Sequence, residues 1–423
     1  MRHLRRRSRI GGAVASALAL ALTLSACSSP ALVEIDLPAQ TDGPLPTETV
    51  EQLQDAVTHA MAAFGAPAAI VGVWAPWSGE WVQGLGTQQP GGEGAAVSAD
   101  LHFKAAQVTR AMTCDILYSL VAENVVALDD PVTKYVSGVA DLTDITLGQL
   151  CDGTAGIFSY SGQLLRSWLA NPERIWNPHE LASYGLGLGR VRAGVAYRNS
   201  DASYVLLGLA LERATGSSAA RLIDEYITTP LALTATELPS NSAAAPSPML
   251  KGYLSRKDSK GVMNCADPRD ITRLSTSTGF TDSGVVTDIH DLGRYAQALA
   301  ADAIVPAGTD RLEGALPAGK NAPSWFTAGG GVFQAGSLVG QYGSVPGYAT
   351  AAFADPSSGL TVAVVLDNSG GGARSALMLA WQLAAIASKA PAASGQTTPE
   401  AGLPWTAEKY QDAITSAAIC PLQ

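Results

Sequence analysis

Hydrolysis at a carbonyl needs an ionisable hydroxyl or thiol with a base beside it. Neither compact signature of such a pair occurs here: no lysine follows a serine at a spacing of three, and there is no Gly-Xaa-Ser-Xaa-Gly elbow. Metal-assisted chemistry has no better footing. His3, His59, His102, His179 and His290 are scattered, and no two cysteines share a metal-ligand spacing, so no metal and no cofactor is expected. Gly329-Gly330-Gly331 and Gly370-Gly371-Gly372 lack the Lys-Ser/Thr that a phosphate loop requires; both read as structural, the first through close strand packing. The clearest chemistry is that of thiols. Leu24-Ser25-Ala26-Cys27 has the form of a bacterial lipobox, in which Cys27 takes a diacylglyceryl group and becomes the mature N-terminus. Cys114, Cys151, Cys265 and Cys420 then remain in an oxidising compartment, where four cysteines allow three pairings.

The surrounding sequence fits export. Arg2, Arg5, Arg6, Arg7 and Arg9 precede an apolar stretch from Gly11 to Leu24 that is too short to span a bilayer comfortably, so residues 1–26 read as a lipoprotein signal peptide. Arg6-Arg7 suits a twin-arginine signal, but a basic n-region is the simpler reading. Residues 27–46 are rich in Pro, Ser, Thr and acidic residues without apolar period and are expected to be a solvated tether. The expected location is the outer, extracytoplasmic face of the cell membrane, with the lipid anchor as the membrane contact. A formal charge of -10 and a pI near 5.0 argue against a nucleic-acid partner, which needs a basic stripe. At 423 residues, 47% of them hydrophobic, the chain can bury a sizeable core.

Order is expected from Thr47, where Leu53, Val57, Ala60, Met61 and Phe64 share one helical face until Gly65-Ala66-Pro67 stops the run. Ala68 to Ala75 and Glu80 to Gln83, joined by Pro76-Trp77-Ser78-Gly79, predict a hairpin. Tyr348 to Phe353 and Leu360 to Leu366 predict a second, with a helix from Ala373 to Ser388 after it. Between these ends the pattern is mainly helical, including Thr109 to Glu123 and Asp201 to Ala214 with Gly216 as C-cap. Pro391 to Gly402 reads as mobile.

Six landmarks follow one another in this frame. Phe103-Lys104-Ala105-Ala106-Gln107-Val108-Thr109-Arg110 opens a helix, and Val125 to Val132 contains Leu128-Asp129-Asp130-Pro131. Ile145 to Leu150 leads into Gly153-Thr154-Ala155-Gly156-Ile157, and Tyr197-Arg198-Asn199-Ser200 leads into Val205-Leu206-Leu207-Gly208. Ser283-Gly284-Val285-Val286 with Asp291-Leu292, then Gln341-Tyr342-Gly343 with Pro346-Gly347-Tyr348, complete the set. Together they resemble the serine β-lactamase and penicillin-binding-protein family, specifically class C β-lactamases and D-Ala-D-Ala carboxypeptidases. The resemblance implies an α/β (α+β) β-lactamase/transpeptidase-like fold: an antiparallel sheet from both chain ends, flanked by helices, with a mainly helical insertion. It implies a domain over residues 47–388 and a C-terminal extension over 389–423.

The same resemblance places Gln107 and Arg110 where the family has the nucleophile and base of Ser-Xaa-Xaa-Lys. A carboxamide has no hydroxyl to ionise, and a guanidinium cannot act as a base near neutrality. Loss of the nucleophile of such a unit costs about a million-fold in rate, so no catalytic set is intact. Tyr197 and Asn199 keep the Tyr-Xaa-Asn motif, and Gln341 with Gly343 fills the His/Lys-Xaa-Gly slot. The implied cleft is Gln107, Arg110, Tyr197, Asn199, Gln341 and Gly343. The leading expectation is a surface lipoprotein that is a pseudoenzyme binding a peptidoglycan stem peptide or another small peptide. Arg110 would pair with a ligand carboxylate or simply bond Tyr197. One alternative is an active carboxypeptidase, esterase or β-lactamase-like serine hydrolase with a relocated nucleophile such as Ser200 and Tyr197 as base; another is a structural envelope protein. With Cys114 four residues beyond Arg110, on the helix face toward Gly153 to Gly156, the expected disulfides are Cys114 to Cys151 and, for the remaining pair, Cys265 to Cys420. Restoring Gln107→Ser/Arg110→Lys is expected to return some acylation by penicillins.

Overall fold

The computed structural model describes residues 32–138, 142–239, 247–400 and 402–422. The expected signal peptide and Cys27 lie outside the described residues. Helix α1 (Thr47–Phe64) buries Leu53, Val57, Ala60 and Phe64, and it stops where Gly65 turns left-handed at φ 61° and donates back to the Met61 and Ala62 carbonyls. Strands β1 (Ala68–Ala75) and β2 (Gly79–Gly86) form the expected hairpin.

The helical insertion follows. Short strand β3 (Phe103–Lys104) feeds α2 (Val108–Ala122), then come α3 (Leu147–Cys151), α4 (Ser161–Ala170), α5 (Pro178–Leu186), α6 (Asp201–Thr215), α7 (Ala219–Ile223) and α8 (Thr229–Leu231). Strands β4 (Tyr253–Leu254) and β5 (Arg269–Asp270) pair with each other, and β6 (Val286–Thr287), after α9 (Phe280–Ser283), pairs with β3. Helix α10 (Ile289–Ala300) returns the chain to the sheet, to which β7 (Leu316–Pro317), β8 (Phe326–Gly329), β9 (Val332–Ala335), β10 (Leu338–Val345), β11 (Tyr348–Ala354) and β12 (Thr361–Leu366) contribute. The eight-stranded antiparallel order is β2-β1-β12-β11-β10-β9-β8-β7, so the two chain ends meet where β1 pairs with β12.

All eight positions of β1 are buried because both faces of the sheet are covered. Ile70 faces the core that holds Leu292 and Tyr295 of α10, while Ala69, Val71 and Val73 face the core formed with α1 and α11 (Ala373–Ala387). Helix α2 is buried at twelve of its fifteen positions, so it shows no single solvent face, and its buried polar residues must find partners. Its buried Asp115 is balanced by Arg311 at 2.6 Å and by the Tyr295 hydroxyl at 2.6 Å.

Both flanking segments differ from the sequence expectation. The segment expected to be a solvated tether up to Pro46 is bonded to the domain from Val33 onward. Val33 N–H donates to the Pro230 carbonyl, Thr41 N–H to Pro76, and Leu45 N–H to Glu80, which itself donates to Gly43. Leu45 is buried. The expected mobile tail is pinned at its start, where the Trp77 indole donates to Ala390 and the Ser78 hydroxyl to Pro391. Beyond it α12 (Ala407–Ser416), which the sequence reading missed, packs Tyr410 and Ile414 on α11 behind a Thr406 N-cap. The Cys265–Cys420 disulfide ties that end down, and Cys114–Cys151 joins α2 to α3. Each contributes about 2–4 kcal/mol.

Candidate functional site

Ala106, between β3 and α2, holds a left-handed φ of 51°, a strained setting for a residue with a Cβ. It delivers Gln107 to the N-cap of α2, with Arg110 one turn later. The Gln107 side chain folds into the cleft against β10. Its Oε1 accepts the Ser344 backbone N–H at 2.6 Å, and its Nε2 reaches Asp282 Oδ2 at 3.4 Å. Position 343 must be glycine for this: a Cβ there would lie 1.8 Å from Gln107 Oε1.

Arg110 is buried and its Nε donates to Asp282 Oδ1 at 2.7 Å, with the guanidinium 4.6 Å above the Tyr204 ring. Burial alone would lower its pKa, but Asp282 more than offsets that and holds it above the usual arginine value. The phenol of Tyr197 is raised, chiefly by burial, with the charge of Arg110 opposing the rise. The carboxylate that Arg110 Nε meets belongs to its own chain. Three residues before Gln107, Lys104 is fully buried with Nζ donating to the Leu274 carbonyl at 2.6 Å, and burial pushes its ammonium down to about 7.

Gln107, Arg110, Tyr197, Asn199 and Gly343 line one cavity of about 290 Å³, walled further by Ser159, Trp168, Thr278, Ser283 and Tyr342. Tyr197 stacks edge-on to Phe333 at 5.3 Å. Gln341 does not line this cavity, a correction to the sequence reading. Its side chain is turned under: Nε2 donates to the Gly331 carbonyl at 2.7 Å, and Oε1 accepts Tyr342 N–H at 2.8 Å. The cause is the β8–β9 turn, where Gly330 and Gly331 both take positive φ and Gly331 comes so close to Cys114 that a Cβ would meet its Sγ at 2.7 Å.

Ser200 is engaged within its own helix. It is buried as the N-cap of α6, accepting from Ser203 N–H at 3.2 Å and the Ser203 hydroxyl at 3.0 Å. The residues that sequence reasoning missed are Asp282, Ser344 and Asp201. Asp201 accepts the Ser159 hydroxyl at 2.5 Å, Tyr160 N–H at 2.7 Å and Ser161 N–H at 2.9 Å, and burial, then Asp282, raise its carboxyl. One signal pointed to Asp282: a buried arginine needs a counter-ion, and Asp282 immediately precedes the Ser283-Gly284 landmark. Among the described residues no cluster of three His, Cys, Asp or Glu side chains is placed to hold a metal, and no helix is long and apolar enough to cross a membrane.

The site can donate and accept hydrogen bonds around a small polar group. It holds no hydroxyl at position 107 and no base at 110, and the Ser344 donor is occupied from within.

Comparison with known proteins bears on the frame that carries this site. A family model described as Beta-lactamase matches residues 53–387. A D-stereospecific amidohydrolase from Streptomyces sp. is similar at 23% identity and TM-score 0.67, covering 78% of this chain and 98% of that chain. A D-amino acid amidase from Ochrobactrum anthropi SV3 follows at 16% identity and TM-score 0.65, covering 76% and 92%. An octameric penicillin-binding protein homologue from Pyrococcus abyssi has 20% identity and TM-score 0.64, covering 78% and 75%. At these identities the solved structures speak to the fold.

Proposed function

We propose that this chain, which belongs to the Beta-lactamase family, is a catalytically silent member: a lipoprotein anchored through Cys27 on the outer face of the membrane, with a cleft that binds a small polar peptide without cleaving it. A cell-wall stem peptide is the favoured ligand class. The observation that carries this reading is the Gln107 carboxamide seated on the Ser344 N–H. In acyl transfer such a donor serves the reacting carbonyl oxygen as charge develops on it. Here the chain's own amide carbonyl takes that place, while the residue one turn on is an arginine locked to Asp282. Nucleophile, base and oxyanion donor are thus all withdrawn together.

The amidase names of two structural neighbours favour the second reading, an active hydrolase, but its candidate Ser200 is spent on capping α6. An open cavity of about 290 Å³ favours a binder over a structural protein with a collapsed cleft. The test is exposure of purified protein to a fluorophosphonate and a fluorescent penicillin, read by intact mass. No adduct is expected, and thermal shifts with D-Ala-D-Ala peptides should accompany it. An adduct on any residue would overturn the silent reading.

A further inference from the structure

We propose that the anchored protein presents its surface around Pro230 to the lipid bilayer and opens its cleft away from it. This rests on the reading that Cys27 carries the lipid. Val33 is bonded to Pro230 and lies only six residues after Cys27. Six peptide steps reach at most about 20 Å. A domain of this size is about 55 Å across by the usual scaling of radius with length, so a reach of that length cannot let it roll over.

Two internal rulers place Pro230 and the N-terminal strap bonded to it far from the cleft. Helix α2 begins at the cleft with Gln107 at its N-cap and runs fifteen residues, about 22 Å, to its other end. Glu123 lies there, and its carboxylate accepts the Tyr226 hydroxyl at 3.0 Å. Tyr226 and Pro230 belong to one unbroken helical stretch from Asp224 to Leu231. The sheet gives the same answer. The cleft uses Ser344 and Val345, which pair with Ala349 and Tyr348 at the start of β11. The strap instead reaches the opposite end of the sheet: Thr41 bonds Pro76 after β1, and Pro38 packs where a Gly359 Cβ would be 3.4 Å away, in the turn after β11. The strand length between these ends is about 20 Å.

The consequence for function concerns the source of the ligand. A peptide carried by the cell wall or free in solution meets an open cleft, whereas the same peptide held at the bilayer surface on a lipid carrier meets the wrong face.

The full-length protein in liposomes tests this, with a fluorescent amino acid in place of Glu225, exposed beside α8, or of Arg374, exposed beside the cleft residue Ala373. Energy transfer to a headgroup-labelled lipid should be stronger from position 225, reflecting a difference of about 20 Å along α2. A long Gly/Ser insertion between Ser29 and Pro30 should erase the difference. Equal or reversed transfer in protein whose mass includes the diacylglyceryl group overturns the orientation alone. A mass showing unmodified Cys27 overturns the anchor, and the orientation with it.

Discussion

Reinstating the pair that the family resemblance implies, Gln107→Ser/Arg110→Lys, should leave the protein almost inert rather than return the acylation expected from the sequence, and the reason is Asp282. A base at position 110 must be a neutral amine. An unperturbed lysine near pKa 10.4 is neutral about once in a thousand molecules at pH 7.5. A carboxylate within hydrogen-bond reach, as Asp282 is of Arg110 at 2.7 Å, raises a lysine by roughly 1–3 further units. Removing it in Gln107→Ser/Arg110→Lys/Asp282→Ala leaves the amine buried without a counter-ion. The protein holds its own benchmark for that state: Lys104, equally enclosed and bonded to a carbonyl, is pushed to about 7. The triple variant should therefore carry at least about ten-thousand-fold more neutral amine than the double, and the Gln107→Ser change also frees Ser344 N–H for the acyl oxygen. Single-turnover labelling by a fluorescent penicillin, with intact mass to locate the adduct, reads the difference. Equal labelling of the two variants would refute the role given to Asp282. A triple variant that melts cooperatively yet stays unlabelled would refute the claim that the strained turn at Ala106 still aims position 107 for attack.

Asp282→Ala alone should destabilise the wild-type protein by about 3–5 kcal/mol, because it strands a buried guanidinium, and Arg110→Met/Asp282→Leu should recover much of that in urea melts. Lys104 makes stability depend on pH. Its folded pKa lies below its unfolded value, so between about pH 7 and 10.5 the unfolded chain holds a proton that the folded chain lacks, and stability rises with pH by up to about 1.4 kcal/mol per unit. Lys104→Met should flatten that slope in denaturant midpoints measured across the window. Cys265→Ser/Cys420→Ser should cost about 2–4 kcal/mol and speed amide exchange in α12 selectively, since that disulfide holds the end of the extension.

What the sequence determined by itself is the part of this protein that lives in residue chemistry and local periodicity. That position 107 cannot attack and position 110 cannot take a proton follows from the functional groups of glutamine and arginine, whatever surrounds them. The β1–β2 and β11–β12 hairpins and the helix after Phe103 were legible because turn residues and apolar spacing act within a dozen positions. Helix α2 also carried Cys114 toward Cys151 as its face predicted. The tertiary structure alone decided which groups meet across the chain. Arg110 found Asp282 172 positions away, and Gln107 found the Ser344 N–H 237 positions away. Gln341 left the cleft because a glycine turn at Gly330 and Gly331 captured its amide, and a Pro-rich segment with no period of its own became a strap because Pro230, Pro76 and Glu80 offered its backbone partners. Buried polar groups must be paired, but a sequence states only that a partner is needed; packing chooses which one.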